Sequence, residues 1–102
     1  MRPLYHPARE DLALPAVLHA LSDPARLRIV RHLARQGESP CGAIGLPVAK
    51  STQSQHFKVL REAGVTRTRV MGTQRLMSLR RDDVDARFPG LLQAVLGVPD
   101  AP

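Results

Sequence analysis

The 102-residue chain has no tryptophan, one tyrosine and two phenylalanines. With Tyr5, Phe57 and Phe88 as its aromatics, the core must be aliphatic, drawn from the Leu, Val and Ala that recur throughout. That favours helices over a β-sandwich, and it leaves no aromatic platform on which RNA bases could stack. A single cysteine, Cys41, excludes an intramolecular disulfide and any multi-cysteine zinc cage. No stretch approaches the roughly 18 apolar residues that a membrane span requires. The opening MRPLYHPAREDL has no apolar segment behind its first arginine, so the expected location is the cytoplasm, without membrane association. The length suits one domain with a modest core.

Acidic residues are also scarce, nine against fifteen Lys and Arg, for a net charge of +6. The imbalance is local. Residues 1–49 carry six Arg against four acids, whereas residues 50–81 set Lys50, Lys58, Arg61, Arg67, Arg69, Arg75, Arg80 and Arg81 against Glu62 alone. Residues 82–102 are net acidic. A concentrated basic block is the footprint of a protein that meets a polyanion, most simply a nucleic acid. The bland alternative is a solvated basic surface.

Catalytic signatures are missing too. No glycine-rich phosphate loop follows a strand and no GxSxG occurs. Ser54 and His56, two apart on a helix, diverge in direction, and adjacent Asp82 and Asp83 suit a helix cap better than a carboxylate dyad. The chain does not read as an enzyme, and nothing in it calls for a cofactor.

What is present is a series of helix punctuation marks. Pro3, Pro7 and the charged trio Arg9, Glu10, Asp11 make residues 1–14 an expected extended arm. Pro15 fits the first turn of a helix to about residue 21, with Val17, Leu18 and Leu21 as its apolar stripe. Ser22-Asp23-Pro24 is a cap followed by a first-turn proline, heading a helix over 24–36 in which Leu27, Val30 and Leu33 recur and Gly37 is the stop. Ser39-Pro40 repeats that signal for a short helix over about 40–45. A further helix spans 49–63, closed by Gly64. Then the period changes from 3.6 to 2. VTRTRVM and QRLMSL flank Gly72-Thr73 as an antiparallel hairpin. A last helical region is broken at Pro89-Gly90 and followed by the apolar LLQAVL.

On a helical wheel of about 100° per residue, Ala49, Gln53, Phe57 and Leu60 share one sector, with His56 close to it. Ser51, Gln55, Lys58 and Glu62 point the other way, flanked by Thr52 and Ser54. Such a helix can anchor through one face and offer hydroxyls, amides and Lys to a DNA major groove. Its N-terminus adds a favourable dipole for phosphate.

The order helix, short helix, turn, long helix, basic hairpin is that of a winged helix-turn-helix domain. LSDPARLRIVRHL at 21–33, the STxSxH pattern at 51–56 and KVLREAGV at 58–65 resemble the ArsR/SmtB family of bacterial transcriptional repressors, over roughly residues 17–81. The resemblance implies a homodimer pairing through its first and last helices, a palindromic operator as double-stranded DNA partner, and release by an inducer, commonly a metal ion. It places Ser51, Thr52, Ser54, Gln55 and His56 on the operator-facing part of the recognition helix. Lys50, Lys58 and Arg61 become phosphate contacts, and Arg67, Arg69, Gln74 and Arg75 the wing's contribution, with a solvent-facing strand as the alternative for Arg67 and Arg69.

Two positions depart from the family pattern. Gln53 stands where an aliphatic residue usually packs between two helices; a buried amide without partners would cost about 1 to 3 kcal/mol, so it must bond internally or sit at an edge. GLPVAK is longer than the tight turn usual there. The family's common metal sites, a CxC in the short helix or His and acid pairs on the last helices, are not matched, since Cys41 stands alone and residues 82–102 contain no His. His6, His19, His32 and His56 lack the spacing that would pair them on one helix. No metal is expected, and a site shared by His6 and Glu10 with a partner chain stays open. Cys41 near a helix N-terminus could have a lowered thiol pKa and serve as a redox switch; the alternative is a small, half-buried apolar residue.

The sequence therefore reads as a mainly α protein with a small β-hairpin. It is a winged helix-turn-helix of about five helices plus a two-stranded wing, with an arm at 1–14, a domain at 15–98 and a tail at 99–102. The expected function is that of a sequence-specific DNA-binding regulator, a homodimeric repressor joined through Val17, Leu18, Leu21, Leu91, Leu92, Val95 and Leu96. The rival is a winged helix that meets an acidic protein partner. The sequence names neither operator nor inducer.

Overall fold

A computed structural model describes residues 4–99 of the chain. Among these are five α-helices and a three-stranded antiparallel sheet: α1 (Leu14–Ala20), α2 (Pro24–Gln36), β1 (Ser39–Pro40), α3 (Lys50–Ala63), β2 (Thr66–Met71), β3 (Gln74–Leu79), α4 (Arg81–Arg87) and α5 (Leu91–Gly97). The winged-helix class expected from the sequence is the observed one.

The two long helices begin and end where the sequence marks them. Asp23 caps α2, accepting from the Ala25 and Arg26 backbone N–H groups at 2.8 and 3.2 Å. Burial works against ionisation of that carboxyl, but the two N–H groups, with His56 and Arg26 nearby, outweigh it and hold the Asp23 pKa below its ordinary value. Gly64 terminates α3 at φ 86°, a left-handed conformation that favours glycine. It is needed for a second reason, since a Cβ there would collide with the Leu12 side chain.

The predicted short helix at 40–45 is instead the edge strand β1 followed by a single 3-10 turn, Cys41–Ala43. Ser39 and Pro40 pair with Met77 and Leu76 of β3, giving the strand order β1-β3-β2. A proline lacks the N–H that an interior strand would need, so the edge suits it. Ser39 is not a cap, because its hydroxyl donates to the Gly37 carbonyl at 2.9 Å. The wing itself keeps the expected register, Thr66 opposite Leu79 through Met71 opposite Gln74. Gly72, with φ 61°, takes the first central turn position that a type II′ hairpin reserves for glycine.

Residues 4–12 are tied down over much of their length. Leu12 is 1% exposed in the core, and Arg9–Asp11 forms a 3-10 turn against α4. Arg80, buried, donates to the Pro7 carbonyl and to Asp83 at 2.8 Å each. Arg9 donates to the other oxygen of Asp83 at 2.7 Å. Arg9 and then Arg80 hold the Asp83 carboxyl below its ordinary pKa, in spite of partial burial. Asp83 is thus a clasp between the N-terminal segment and α4. Neither it nor Asp82 caps the helix, whose N-cap residue is Arg80. Residues 1–3 of the expected arm and 100–102 of the expected tail lie outside the described residues.

The core joins Leu12, Val17, Ala20, Leu21, Ile29, Val30, Leu33, Ile44, Leu60, Ala63, Val65, Met77, Val84 and Leu92. Val17, Leu21 and Leu92, expected at a dimer interface, are at most 6% exposed within one chain. They belong to the buried core cluster of the chain itself, so they have no surface left to offer. Leu18, by contrast, is 47% exposed, and Leu91, Val95 and Leu96 are only partly covered.

Candidate nucleic-acid interface

From Lys50 onward the wheel drawn for α3 matches its packing, while Ala49, placed on the inward sector, is the exposed N-cap residue. Leu60 and Ala63 are buried, Phe57 and Gln53 half-buried, and Lys50, Ser51, Thr52, Ser54, Gln55 and Lys58 exposed. Gln53 resolves by internal bonding, its Nε2 donating to the Ile44 carbonyl at 3.1 Å. That bond ties α3 to the segment after the Cys41–Ala43 turn, where the longer GLPVAK connection runs. The N-cap residue Ala49 offers no side-chain acceptor, so the first-turn N–H groups of α3 remain open to an incoming anion.

Two residues of the predicted DNA set are not on that open face. His56 is half-buried with its Nδ1 3.2 Å from Arg26 Nη1. A guanidinium only donates, so Nδ1 accepts and the ring proton belongs on Nε2, which lies 3.9 Å from Asp23 Oδ1. His56 therefore couples the recognition helix to the N-cap of α2. Arg61 is also half-buried, with its Nε enclosed and unpartnered among the described residues. An enclosed guanidinium edge does not suit the freely reaching phosphate contact expected of it.

Arg26 is the feature that sequence reasoning missed. It is 8% exposed and donates to the Ala20 and His19 carbonyls at 2.8 and 3.1 Å, closing the C-terminus of α1, as well as to His56. One side chain joins three helices. Its position on the same helix face as Val30 and Leu33, one turn before Val30, was the available signal.

On the wing, Arg67 and Arg69 lie on the exposed face of β2, alternating with buried Thr66 and Thr68. Arg69 grips Glu38 with two 2.8 Å hydrogen bonds, and that grip lowers the Glu38 pKa. Arg67 stands 3.5 Å from Asp83. Glu38 is solvent-exposed and Asp83 keeps Arg9 and Arg80 as partners, so both guanidiniums can be exchanged onto phosphate at little cost. Gln74 and Arg75 are exposed beside the turn, and Arg75 has no acidic partner among the described residues.

Cys41 does not have the expected lowered pKa. A three-residue 3-10 turn supplies no helix dipole, and burial pushes the thiol up, with the Arg75 and Arg61 charges opposing only in part. His6 offers no free ring nitrogen for a metal shared with Glu10, since Nδ1 meets the Leu4 carbonyl at 3.1 Å and Nε2 accepts from Thr68 N–H at 3.0 Å. Among the described residues no three His, Cys, Asp or Glu side chains converge. No described helix is long and apolar enough to cross a membrane.

Comparison with known proteins agrees with this geometry. Residues 21–69 match the model of a helix-turn-helix domain family. YceK of Bacillus subtilis, an uncharacterized HTH-type transcriptional regulator, is 40% identical over 89 residues, covering 84% of this chain and 89% of that protein. In fold, the chain is similar to a crystallised ArsR family transcriptional regulator (TM-score 0.65, 23% identity, 79% of this chain and 90% of that one). It is similar also to the transcriptional repressor BigR from Xylella fastidiosa (TM-score 0.60, 28% identity, 80% of this chain and 97% of that one). A helix-turn-helix match centred on α2 and α3 and a 40% identical regulator relative converge with a fold shared with an ArsR family regulator, and the chain belongs to the helix-turn-helix transcriptional regulators.

Proposed function

We propose that the protein represses transcription as a homodimer, reading a palindromic operator with α3 in the major groove and bracing the flanking backbone with the β2–β3 wing. One observation carries the reading. Lys50, Ser51, Thr52, Ser54, Gln55 and Lys58 form a continuous exposed polar face at the uncapped end of α3. Hydroxyls and the Gln55 amide suit base edges, while Lys50 and Lys58 neutralise phosphates. From the wing, Arg75 and Gln74 reach the adjacent backbone, and Arg67 and Arg69 join by releasing Asp83 and Glu38. Repression is the activity named for BigR, a fold relative.

A single copy contacts one half-site. Leu18 on α1 and Leu91, Val95 and Leu96 on α5 are the apolar side chains left to bury against a second copy. In such a dimer the two α3 helices lie about 34 Å apart, one turn of DNA. With chromosomal DNA as partner, the protein works in the cytoplasm.

The deciding experiment is selection of bound duplexes from random and genomic DNA, with and without Zn(II). A palindromic site preferred over random DNA by at least about 10³ supports the reading. Equal affinity for all duplexes would sink it and favour a basic surface that meets an acidic protein.

A further inference from the structure

Between α3, the Cys41–Ala43 turn and the wing lies a cavity of about 140 Å³ lined by Cys41, Ser54, Phe57, Arg61, Thr68 and Arg75. Its chemistry is lopsided. Two guanidiniums face it with no carboxylate in the lining, and neither Arg61 nor Arg75 has an acidic partner among the described residues. Two of the lining residues each carry an enclosed polar atom with no partner among the described residues, Arg61 Nε and the Thr68 hydroxyl, and Thr68 is only 6% exposed. Buried donors are normally satisfied, and an unsatisfied pair beside unpaired positive charge calls for an acceptor that carries negative charge. The Phe57 ring and the thiol of Cys41 give the same cavity an apolar wall. Its size is close to the roughly 150 Å³ of a protein cavity that holds benzene.

We propose that this cavity is an effector site for a small carboxylic acid with a compact apolar body, the carboxylate taken by Arg61, Arg75 and the Thr68 hydroxyl and the body resting on Phe57 and Cys41. The regulatory part rests on the DNA-binding reading above. Ser54 of the recognition helix and Arg75 of the wing, both assigned there to DNA, line the site. An occupant neutralises Arg75 and fixes the wing against α3, so it binds at the expense of DNA. By linkage, DNA lowers its affinity by the same factor.

Benzoate is the probe, and Cys41 is a built-in reporter that needs no DNA. Alkylation of the full chain by iodoacetamide at mildly alkaline pH is followed by intact mass, in sodium benzoate and in acetate, phosphate or chloride of matched ionic strength. Benzoate at ten times its Kd should slow alkylation about tenfold, because only the empty fraction reacts; the other anions should do far less. Thr68→Val, isosteric and outside the DNA-facing set, should shift the benzoate protection curve roughly tenfold upward, the change expected for one lost hydrogen bond to a charged group. In the DNA arm, benzoate should weaken duplex binding by the wild type at concentrations that leave Thr68→Val bound. An unprotected Cys41, equal protection by every anion, or wild-type protection in Thr68→Val overturns the site. Protection without any change in DNA affinity overturns the effector role. Failure of the ligand-free protein to bind DNA overturns the DNA-binding reading and leaves the protection result to judge the cavity by itself.

Discussion

Arg26 Nη1 lies 3.2 Å from His56 Nδ1, so a buried guanidinium at the start of α2 holds a ring at the middle of the recognition helix. Because the same guanidinium closes α1 through the His19 and Ala20 carbonyls, the tilt of α3 is set by a joint common to three helices. Arg26→Ala strands those acceptors and should destabilise the fold by about 2 to 4 kcal/mol. His56→Ala should cost about 1 kcal/mol and weaken binding to all duplexes alike, since it loosens α3 without removing a base contact. Urea unfolding and competition among mismatched duplexes measure the two effects. A change in base preference in His56→Ala would return His56 to the reading surface.

Gln53 lies on the inward side of α3, and its amide bonds the Ile44 carbonyl. Stability should fall in the order wild type, Gln53→Met, Gln53→Glu. Met keeps the volume but drops the bond, at about 1 kcal/mol, while Glu sets a carboxylate against a carbonyl and costs about 1 to 3 kcal/mol. Equal midpoints for Met and wild type in urea would mean that the bond contributes nothing.

The contrast between Gln53 and Arg26 shows what the sequence made legible. Both long helices are readable because the start of α2 and the end of α3 are set locally, by the Asp23 cap and by Gly64, and because apolar residues recur at helical spacing along each. Gln53 was readable as a problem, since wheel geometry alone puts it inward. Its partner was not, because the Ile44 carbonyl comes from a loop whose path no period fixes. Arg26, His6 and Asp83 act between segments 30 to 74 residues apart, and such pairings leave no periodic trace. The Cys41 turn departs from the expected helix because a cap-proline signal fits an edge strand as well as a helix start. The burial of Val17, Leu21 and Leu92 is not legible in the sequence, because the stripe of a short helix does not say whether its own chain or a copy covers it.

Thr66 is fully buried on β2, and its hydroxyl has no partner among the described residues. Val has the same shape and suits a strand, so Thr66→Val should stabilise the protein by about 1 kcal/mol. For a domain of this size that corresponds to a rise in Tm of about 4 to 8 °C. A lowered Tm would show that an ordered water satisfies the hydroxyl.

His6 links the N-terminal segment to the wing by accepting from the Thr68 N–H, which requires an unprotonated Nε2. Burial lowers the His6 pKa; the Leu4 carbonyl opposes that, and the Arg61, Arg80 and Arg67 charges reinforce it. With the folded pKa below the unfolded value near 6.5, the unfolded chain takes up the proton first. Stability is therefore full above about pH 6.5 and declines as the pH falls below it. His6→Gln keeps an acceptor but cannot titrate, so its urea midpoint should fall less than that of the wild type between pH 7.5 and 5.5. Parallel declines would assign the pH response to another histidine.

Gln55 and Lys58 share the exposed face of α3 but differ in what they can read. An amide can pair with a base edge in two directions at once, whereas an ammonium is a point charge that any phosphate satisfies. Gln55→Ala should then narrow the gap between operator and mismatched duplex by about 1 to 3 kcal/mol. Lys58→Ala should weaken every duplex alike and reduce the slope of log K against log salt by about 0.9, one phosphate. The pair is informative because each variant controls for the other: both remove one exposed side chain from the same helix face, so general loosening of α3 would move them together. Identical behaviour in the salt series and in the mismatch series would break the division between reading and anchoring residues.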